Sequence, residues 1–588
     1  MRHVLIALGI GAATIALAST LTNEFYLRVL FSICTYYLCA AGMNVLLGYA
    51  GQKSLGQAGL FAAGAYTVAV LTTQYGVNPW LALCAAILVA AVFGVLIALP
   101  SLRVRGPSLA MVTLAFGLVV EKVVSEFTEP FGGAMGIYAI APLTIAGQPF
   151  SMLHWVIFGI ALCVLTHLLL RNLLTGRFGR AFLSLQADEL AASSVGVQVY
   201  GYKVLAFVIA AVTCGLAGAL VAQQNQYLNS DFISFHLSIF IMLLVLFGGS
   251  GSLYGPLVGS VFLVILGAFL ARWTWLEHFV NGSLLLFALY AMPTGLAGVL
   301  DGLRLRLRPD PAVTVAVTPT AALPLRAGNL PAGAPLLVAS SLHKAYGGVV
   351  PARDVSLTIR AGAIHALIGP NGAGKTTLIN ILSGVVLPGS GTMILAGQPM
   401  GRLSVDDICD RGLARTFQNL RLFKDLSVLD NVLLGQHRRM GNGLVASLFA
   451  LPKAHAEEHR ALARVHAILA FVGLSEHAHA TAGSLAYGLQ RRVELARALA
   501  TEPHLLLLDE PAAGLNPMET DELGDLLLRI RDQGITIFLV EHHMDMVMRI
   551  SDRVTVLDYG EVIAEGTPAE VQANPRVMTA YLGTDEEF

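Results

Sequence analysis

The 588-residue sequence predicts two unlike parts: a multi-helix α transmembrane domain of about ten spans or re-entrant segments, followed by a soluble α/β domain. Three observations predict this. Apolar residues make up 55% of the chain and charged residues only 13%, far from the usage of a soluble protein. Charge is also unevenly spread: residues 1–310 hold 14 Lys+Arg and 10 Asp+Glu, which leaves 23 and 28 for the rest. Third, apolar runs near membrane-spanning length crowd the first half and stop near residue 300. A length of this order calls for more than one domain. We place a membrane domain at 1–306, a linker at 307–335 and a cytosolic domain at 336–588. The net charge of −1 provides no field that would draw a nucleic acid, and none is expected as a partner.

The apolar runs fall at 2–20, 25–45, 57–74, 80–100, 107–124, 153–170, 204–226, 236–248, 254–271 and 277–299. The first has the layout of a signal peptide, led by Arg2 and ending near ALAST, but another run follows at once. With Arg2 in the cytosol, the cytosolic loops carry Lys53, Arg103, Arg105, Arg171, Arg177, Arg180, Arg304, Arg306 and Arg308. The opposite loops at 125–152 and 227–235 have no Lys or Arg, and Arg272 is the one dissenter. This asymmetry puts the C-terminal half in the cytosol and surrounds the runs with lipid. Five of six cysteines lie in apolar runs, with neither a disulfide framework nor metal spacing.

Two segments interrupt the apolar pattern with small residues. GYAGQKSLGQAG (48–59) and LFGGSGSLYGP (246–256) both contain Gly-x-x-Ser-Leu, at Gly51/Ser54/Leu55 and Gly249/Ser252/Leu253. Glycine breaks at matching places suggest an internal repeat and a substrate path, although small residues can also serve close helix packing. Between Arg180 and Lys203 the chain is polar enough to leave the membrane yet helical in spacing. It would make either a docking helix for a soluble domain or a plain connector. Residues 307–335, rich in Pro, Ala and Thr, cannot bury a core and read as a tether.

The soluble half opens with AIHALIGPNGAGKTTLINIL (363–382). An apolar strand, a glycine-rich turn and a helix follow in register, with Gly369, Gly374, Lys375 and Thr376 at Walker A spacing. The loop, with Asn371, Gly372 and Thr377, offers backbone N–H groups and a helix N-terminus to phosphates. Lys375 adds charge, and the Thr376 hydroxyl can ligate Mg²⁺. HLLLLDEP (504–511) delivers Asp509 and Glu510 at the end of a buried strand. Asp509 can hold Mg²⁺ through water, and Glu510 can orient or deprotonate an attacking water. A simple turn after a strand is the alternative. TIFLVEHH (536–543) is another apolar strand, with His542 placed to contact a γ-phosphate, although a histidine at a strand end is commonly structural.

The order Tyr346, Walker A, Gln418 in ARTFQNLRLF, SLAYGLQRR, LLLLDEP, AGLN and VEHH resembles the nucleotide-binding subunit of ABC transporters over residues 337–588. RTFQNLRLF, EPAAGLNP and LDYGEVIAEGTPAEV are similar in particular to the ATPase of bacterial branched-chain amino-acid importers. LLGYAGQKSLGQAGLFAAGAY, VRGPSLAMVTLAFG, RFGRAF and GYKVLAFVIAAVTCGLAGAL resemble a permease of that system. The second part is thus expected to be an α/β P-loop ABC ATPase domain, fused to one permease.

The resemblance implies that Tyr346 stacks on adenine and that Gln418 senses Mg²⁺ and touches the membrane domain. It makes Glu510 the catalytic base, His542 the switch and 180–197 the coupling helix. SLAYGLQRR becomes the signature element, in which Ala486 and Gly488 close over ATP held by another ATPase domain. Two positions depart from the family pattern: Asn516 replaces the aspartate of the D-loop, and Ala486 replaces a serine. Loss of that hydroxyl removes one hydrogen bond to a charged group, about 1.5–3 kcal/mol, so closure is expected to be weakened but retained.

A signature that acts in trans requires a second ATPase domain and a second permease, from a second copy or from paralogous subunits. Import would further require an extracytoplasmic solute-binding protein. The expected function is ATP-driven import of branched-chain or other hydrophobic amino acids, or of a related small amide or urea, across the bacterial inner membrane. The alternatives are an exporter, or a membrane-tethered ATPase that gates or signals, whose flux would survive Glu510→Gln.

Overall fold

The computed structural model describes residues 2–101, 104, 106–292, 294–299, 331–441 and 443–582. Arg103, Arg105, Arg304, Arg306, Arg308, the 306 boundary and the linker at 307–330 lie outside the described residues. The chain divides into two compact units. The first gathers the N-terminal half and residues 447–450; the second gathers 187–198 with the remainder of the C-terminal half.

All ten apolar runs are helical. In chain order, with the two helices of the 177–194 segment included, they are α1 (Arg2–Thr20), α2 (Glu24–Met43), α3 (Gln57–Thr73), α4 (Pro79–Ser101), α5 (Pro107–Glu126), α6 (Met152–Leu174), α7 (Arg177–Ala187), α8 (Glu189–Ser194), α9 (Val199–Asn225), α10 (Phe235–Gly248), α11 (Gly255–Leu270) and α12 (Thr274–Ala291). Among the described residues, six helices have the length and composition to cross a membrane: α1, α2, α4, α5, α6 and α9. By contrast α10 and α11 have 14 and 16 residues. At 1.5 Å per residue these reach only ~21–24 Å, short of the ~30 Å hydrocarbon core. The break at Gly249–Tyr254 therefore divides one apolar stretch into two short helices.

The matching break in the first half lies between Asn44–Tyr49, a π-helical extension of α2, and the start of α3. These two interruptions meet. Asn44 Nδ2 donates to Ser252 O at 2.8 Å, and Gly251 N donates to Asn44 Oδ1 at 2.9 Å. Backbone freed from helical bonding must find partners inside the protein, and Asn44 supplies both a donor and an acceptor. Helix α9 packs on α2, α3 and α4. Its approach to α3 is closed by small residues: a Cβ at Gly64 would lie 1.9 Å from Gly215 O.

The second unit is built on two sheets. One contains β1 (Pro335–Tyr346), β2 (Val349–Arg360), β4 (Ser390–Leu395) and β5 (Gln398–Pro399), in the order β2-β1-β4-β5. The central sheet has β3 (Ile364–Ile368), β6 (Leu413–Arg415), β7 (Leu505–Asp509), β8 (Thr536–Val540), β9 (Arg553–Asp558) and β10 (Glu561–Gly566). Its order is β6-β7-β8-β3-β9-β10, parallel except for β10. Every residue of β3, β7 and β8 is buried, because a parallel sheet is covered on both faces and so selects continuous apolar runs. The chain ends of these three strands converge where the site is built.

Candidate nucleotide site

The phosphate loop joins β3 to α13 (Lys375–Leu382). Gly374 adopts φ +102°, and a Cβ there would lie 1.9 Å from Pro351 O of β2, so only glycine lets the loop approach the neighbouring strand. Lys375 Nζ donates to Gly369 O at 2.6 Å and Pro370 O at 2.9 Å, which folds it over the loop. Burial pushes its pKa down, against the opposing pull of Glu510 and Asp509. Asn371, Gly372 and Thr376 are exposed, and Thr377 is half-buried. Tyr346, at the end of β1, is half-exposed with Lys344 Nζ 5.3 Å from its ring centroid. It belongs to the β1–β2 hairpin, which is tied to the loop region by the bond from Arg353 N to Gly560 O and from Gly560 N to Ala373 O.

Asp509 and Glu510 have different surroundings. Asp509 is buried, and its Oδ2 accepts from Arg415 Nη2 at 3.2 Å. Arg415 is itself held by Asn380 Oδ1 at 2.6 Å and Ser383 Oγ at 2.8 Å, both on or next to α13. Burial raises the Asp509 pKa, and the Arg415 guanidinium opposes that rise. Asp509 Oδ1 has no hydrogen-bond partner although buried. Glu510 sits at φ +48°, a left-handed backbone uncommon for a non-glycine residue and a form of stored strain found at functional positions. Its carboxylate is gripped from two sides: Gln418 Nε2 donates to Oε2 at 3.0 Å, and His542 Nε2 pairs with Oε1 at 2.8 Å.

The donor set fits Mg²⁺. An orphaned buried carboxylate oxygen on Asp509 and an exposed Thr376 hydroxyl are hard oxygen ligands, suited to an ion that keeps waters and shares phosphate oxygens. No cluster of three or more His, Cys, Asp or Glu side chains that could hold a metal occurs among the described residues.

The signature opens α14 (Tyr487–Leu499), with Ala486 as its N-cap and no side-chain capping bond. A Cβ at Gly488 would lie 2.7 Å from Glu519 Oε1 of α15 (Pro517–Asp532), so the signature glycine is packed on the helix after the D-loop. Asn516 caps α15: its Oδ1 accepts from Glu519 N at 2.9 Å while Glu519 Oε2 accepts from Asn516 N at 3.0 Å. The D-loop departure thus retains a strong capping residue.

The structure brings Gln418, Glu510 and His542 into direct contact and joins Asp509 to α13 through Arg415. Several residues with positional roles are absent from the sequence expectations. Glu541 is buried and accepts from Ala512 N at 2.7 Å and His542 N at 2.9 Å, which fixes the turn after Glu510 to the histidine. Arg491 donates to Phe417 O at 2.9 Å and Gln418 O at 2.6 Å, so the signature helix holds the backbone that carries Gln418. A motif reader could have noticed Arg415 in ARTFQ and Glu541 in VEHH, but only tertiary contact reveals what they bind.

The first unit contains a cavity of about 830 Å³. Arg28, Asp231 and His236 line it together with Phe61, Phe240 and Leu243.

A strand–loop–helix phosphate cradle, a paired carboxylate centre and a signature helix define an ATP-binding cassette, here on one chain with an apolar helical unit. Family models agree along most of the chain. Residues 25–289 match the permease component of branched-chain amino acid transport systems, 352–513 match ABC transporters, and 561–587 match branched-chain amino acid ATP-binding cassette transporters. The high-affinity branched-chain amino acid transport ATP-binding protein LivG of Salmonella typhimurium is 45% identical over 250 residues, covering 42% of this chain and 98% of LivG. BraF of Pseudomonas aeruginosa, of the same description, is 43% identical with the same coverage. The lipopolysaccharide export ATP-binding protein LptB of Escherichia coli is 33% identical over 249 residues, 42% of this chain and 98% of LptB. A solved nucleotide-free ATP-binding cassette from an ABC transporter shares 30% identity, covers 43% of this chain and all of its own, and superposes with a TM-score of 0.38. The chain belongs to the branched-chain amino acid ABC transporter family, with its permease and ATPase parts in one polypeptide. It is a membrane protein whose ATPase domain is coupled to solute transport.

Proposed function

We propose that the chain drives import of branched-chain or other hydrophobic amino acids, or of a related small amide or urea, across the bacterial inner membrane. The single observation that carries the catalytic half of this reading is Glu510, held between Gln418 and His542 at hydrogen-bond distance. In this reading Glu510 is the general base for an attacking water, and Gln418 and His542 fix its carboxylate. Lys375, Thr376, Thr377 and the backbone of Gly369, Asn371, Gly372 and Gly374 hold the phosphates, and Tyr346 stacks on adenine. Thr376, Asp509 and Gln418 would hold Mg²⁺, which when bound offsets phosphate charge. Ala486 and Gly488 serve ATP held by a second ATPase domain, so a second cassette, a second permease and an extracytoplasmic binding protein complete the assembly.

Import is supported by the relatives LivG and BraF and by the permease match, whereas LptB favours export as the second reading. The cavity in the first unit has the size of a small-solute site, and its mixture of Arg28, Asp231 and aromatic walls suits a zwitterion with an apolar side chain. The test reconstitutes the full chain with its partner subunits in proteoliposomes and adds candidate binding proteins loaded with leucine, urea or a short amide. Stimulation of ATP hydrolysis by the leucine-loaded protein alone supports the reading. Stimulation by only the urea or amide form reassigns the solute, and efflux of preloaded leucine on ATP addition overturns import.

A further inference from the structure

One side chain, Phe417, lies between the part of the second unit that comes from the loop between α7 and α9 and the buried Asp509. Asp188 ends α7 and caps α8: its Oδ1 accepts from Leu190 N and Ala191 N, both at 2.9 Å. Its other oxygen, Oδ2, pairs with Arg421 Nη1 at 2.5 Å. Both oxygens are therefore engaged, and the geometry that caps α8 also aims the charge at Arg421. The Arg421 guanidinium carbon lies 5.2 Å from the Phe417 ring centroid, and that of Arg415 lies 4.9 Å from the same centroid. Arg415 in turn binds Asp509.

The backbone of Phe417 cannot drift to absorb a change. Its N donates to Glu494 Oε1 at 3.4 Å and its O accepts from Arg491 Nη1 at 2.9 Å, both from α14. Arg491 and Glu494 are themselves a buried pair at 3.2 Å. The residue next along, Gln418, carries the amide that grips Glu510. Two guanidiniums that share one ring repel each other unless each has its own carboxylate, Asp188 for Arg421 and Asp509 for Arg415.

We propose that Arg421, Phe417 and Arg415 form a relay in which Asp188 of segment 187–198, by neutralising Arg421, keeps Arg415 on Asp509 and so sets the readiness of the site for Mg²⁺. Arg421 and Phe417 are positioning residues. The inference rests on the reading of Asp509 as the Mg²⁺ carboxylate, and it adds a route from the permease-derived segment to that carboxylate, separate from the Gln418–Glu510 contact.

The test uses the full chain in its assembly and measures ATP hydrolysis against Mg²⁺ concentration, with Mg²⁺-free ATP binding and thermal midpoint in parallel. Asp188→Asn retains a good α8 cap while removing the charge, so it separates the relay from local folding. Asp188→Asn and Phe417→Leu should each raise the Mg²⁺ half-saturation about five- to tenfold, the low end of coupling between linked sites, whereas Arg421→Ala, which removes the repelling charge, should leave it within about twofold of wild type. Mg²⁺-free ATP binding should be unchanged, and adding Arg421→Ala to Asp188→Asn should restore the wild-type Mg²⁺ half-saturation. If Asp188→Asn and Phe417→Leu lower only the thermal midpoint or the maximal rate and leave Mg²⁺ half-saturation unmoved, or if Arg421→Ala fails to rescue Asp188→Asn, the relay is wrong. An Asp509→Asn variant separates the two levels. If it too retains the wild-type Mg²⁺ response, the reading of Asp509 itself fails. If it loses that response while Asp188→Asn does not, only the relay fails.

Discussion

Glu510 and Asp509 are adjacent in sequence and opposite in environment, and the site's chemistry follows from that difference. Glu510 is partly open, strained at φ +48° and held by two polar side chains; Asp509 is buried, with one oxygen on Arg415 and the other unpartnered. Burial lifts the Asp509 pKa and Arg415 restrains it, so the ionised form that a cation needs depends on the arginine. Replacement of Arg415 by Ala lets that pKa climb further. The acidic limb of the ATPase pH profile should then move to higher pH, with the alkaline limb unmoved. A profile of the variant that superposes on wild type after scaling would refute this assignment. The motif residues were legible because their chemistry is local: a glycine loop before a helix and an acidic pair after a leucine strand need no tertiary knowledge. Arg415 and Glu541 were not, because what makes them matter is a partner about thirty to a hundred positions away.

Elements carry the next set of consequences. Helix α14 begins at Ala486 with extended backbone and no capping side chain, whereas α15 begins at Asn516 with a complete capping box. Ala486→Ser should therefore stabilise the ATPase unit by about 0.5–1 kcal/mol, and Asn516→Ala should cost about 1 kcal/mol. Thermal unfolding of the full chain measures both, and opposite signs are expected. Strand β3 supplies a pH signature. His365 is buried against Thr555 Oγ1 at 2.7 Å, and burial lowers its pKa from the usual 6.5 to about 4. Between these values the unfolded chain binds the proton and the folded chain does not. The His365 contribution is then complete above pH 6.5 and is lost as pH falls toward 4, by up to about 1.4 kcal/mol per unit. His365→Gln should flatten the acid side of the stability curve relative to wild type. Eight of the ten apolar runs match their helices within about four residues at each end, because apolar length is a local signal; 204–226 begins five residues late and 277–299 runs eight residues past Ala291. Segment 180–197 was less legible: instead of one helix it forms α7 and α8, broken where Asp188 turns its carboxylate back on the next N–H groups. The meeting of the two glycine breaks through Asn44 was likewise invisible, because a repeat in sequence does not say that its copies touch.

At the scale of the molecule, the proposed trans-acting signature pairs this cassette with a second one. A Cβ at Gly488 would meet Glu519 near the start of α15, and the proposed role of Ala486 and Gly488 is service to a nucleotide on a second cassette. In the proposed function, hydrolysis at Glu510 moves a hydrophobic amino acid inward. The most direct measurement follows leucine accumulation and ATP consumption in the same proteoliposomes, with the assembled wild-type protein and with Glu510→Gln. Wild type should show ATP-dependent accumulation above the external concentration. The variant should lose both accumulation and hydrolysis, by about 10²–10⁴ as for a general base, with ATP binding retained. Leucine flux that persists in Glu510→Gln, or that only equilibrates across the membrane in wild type, would contradict the proposed function.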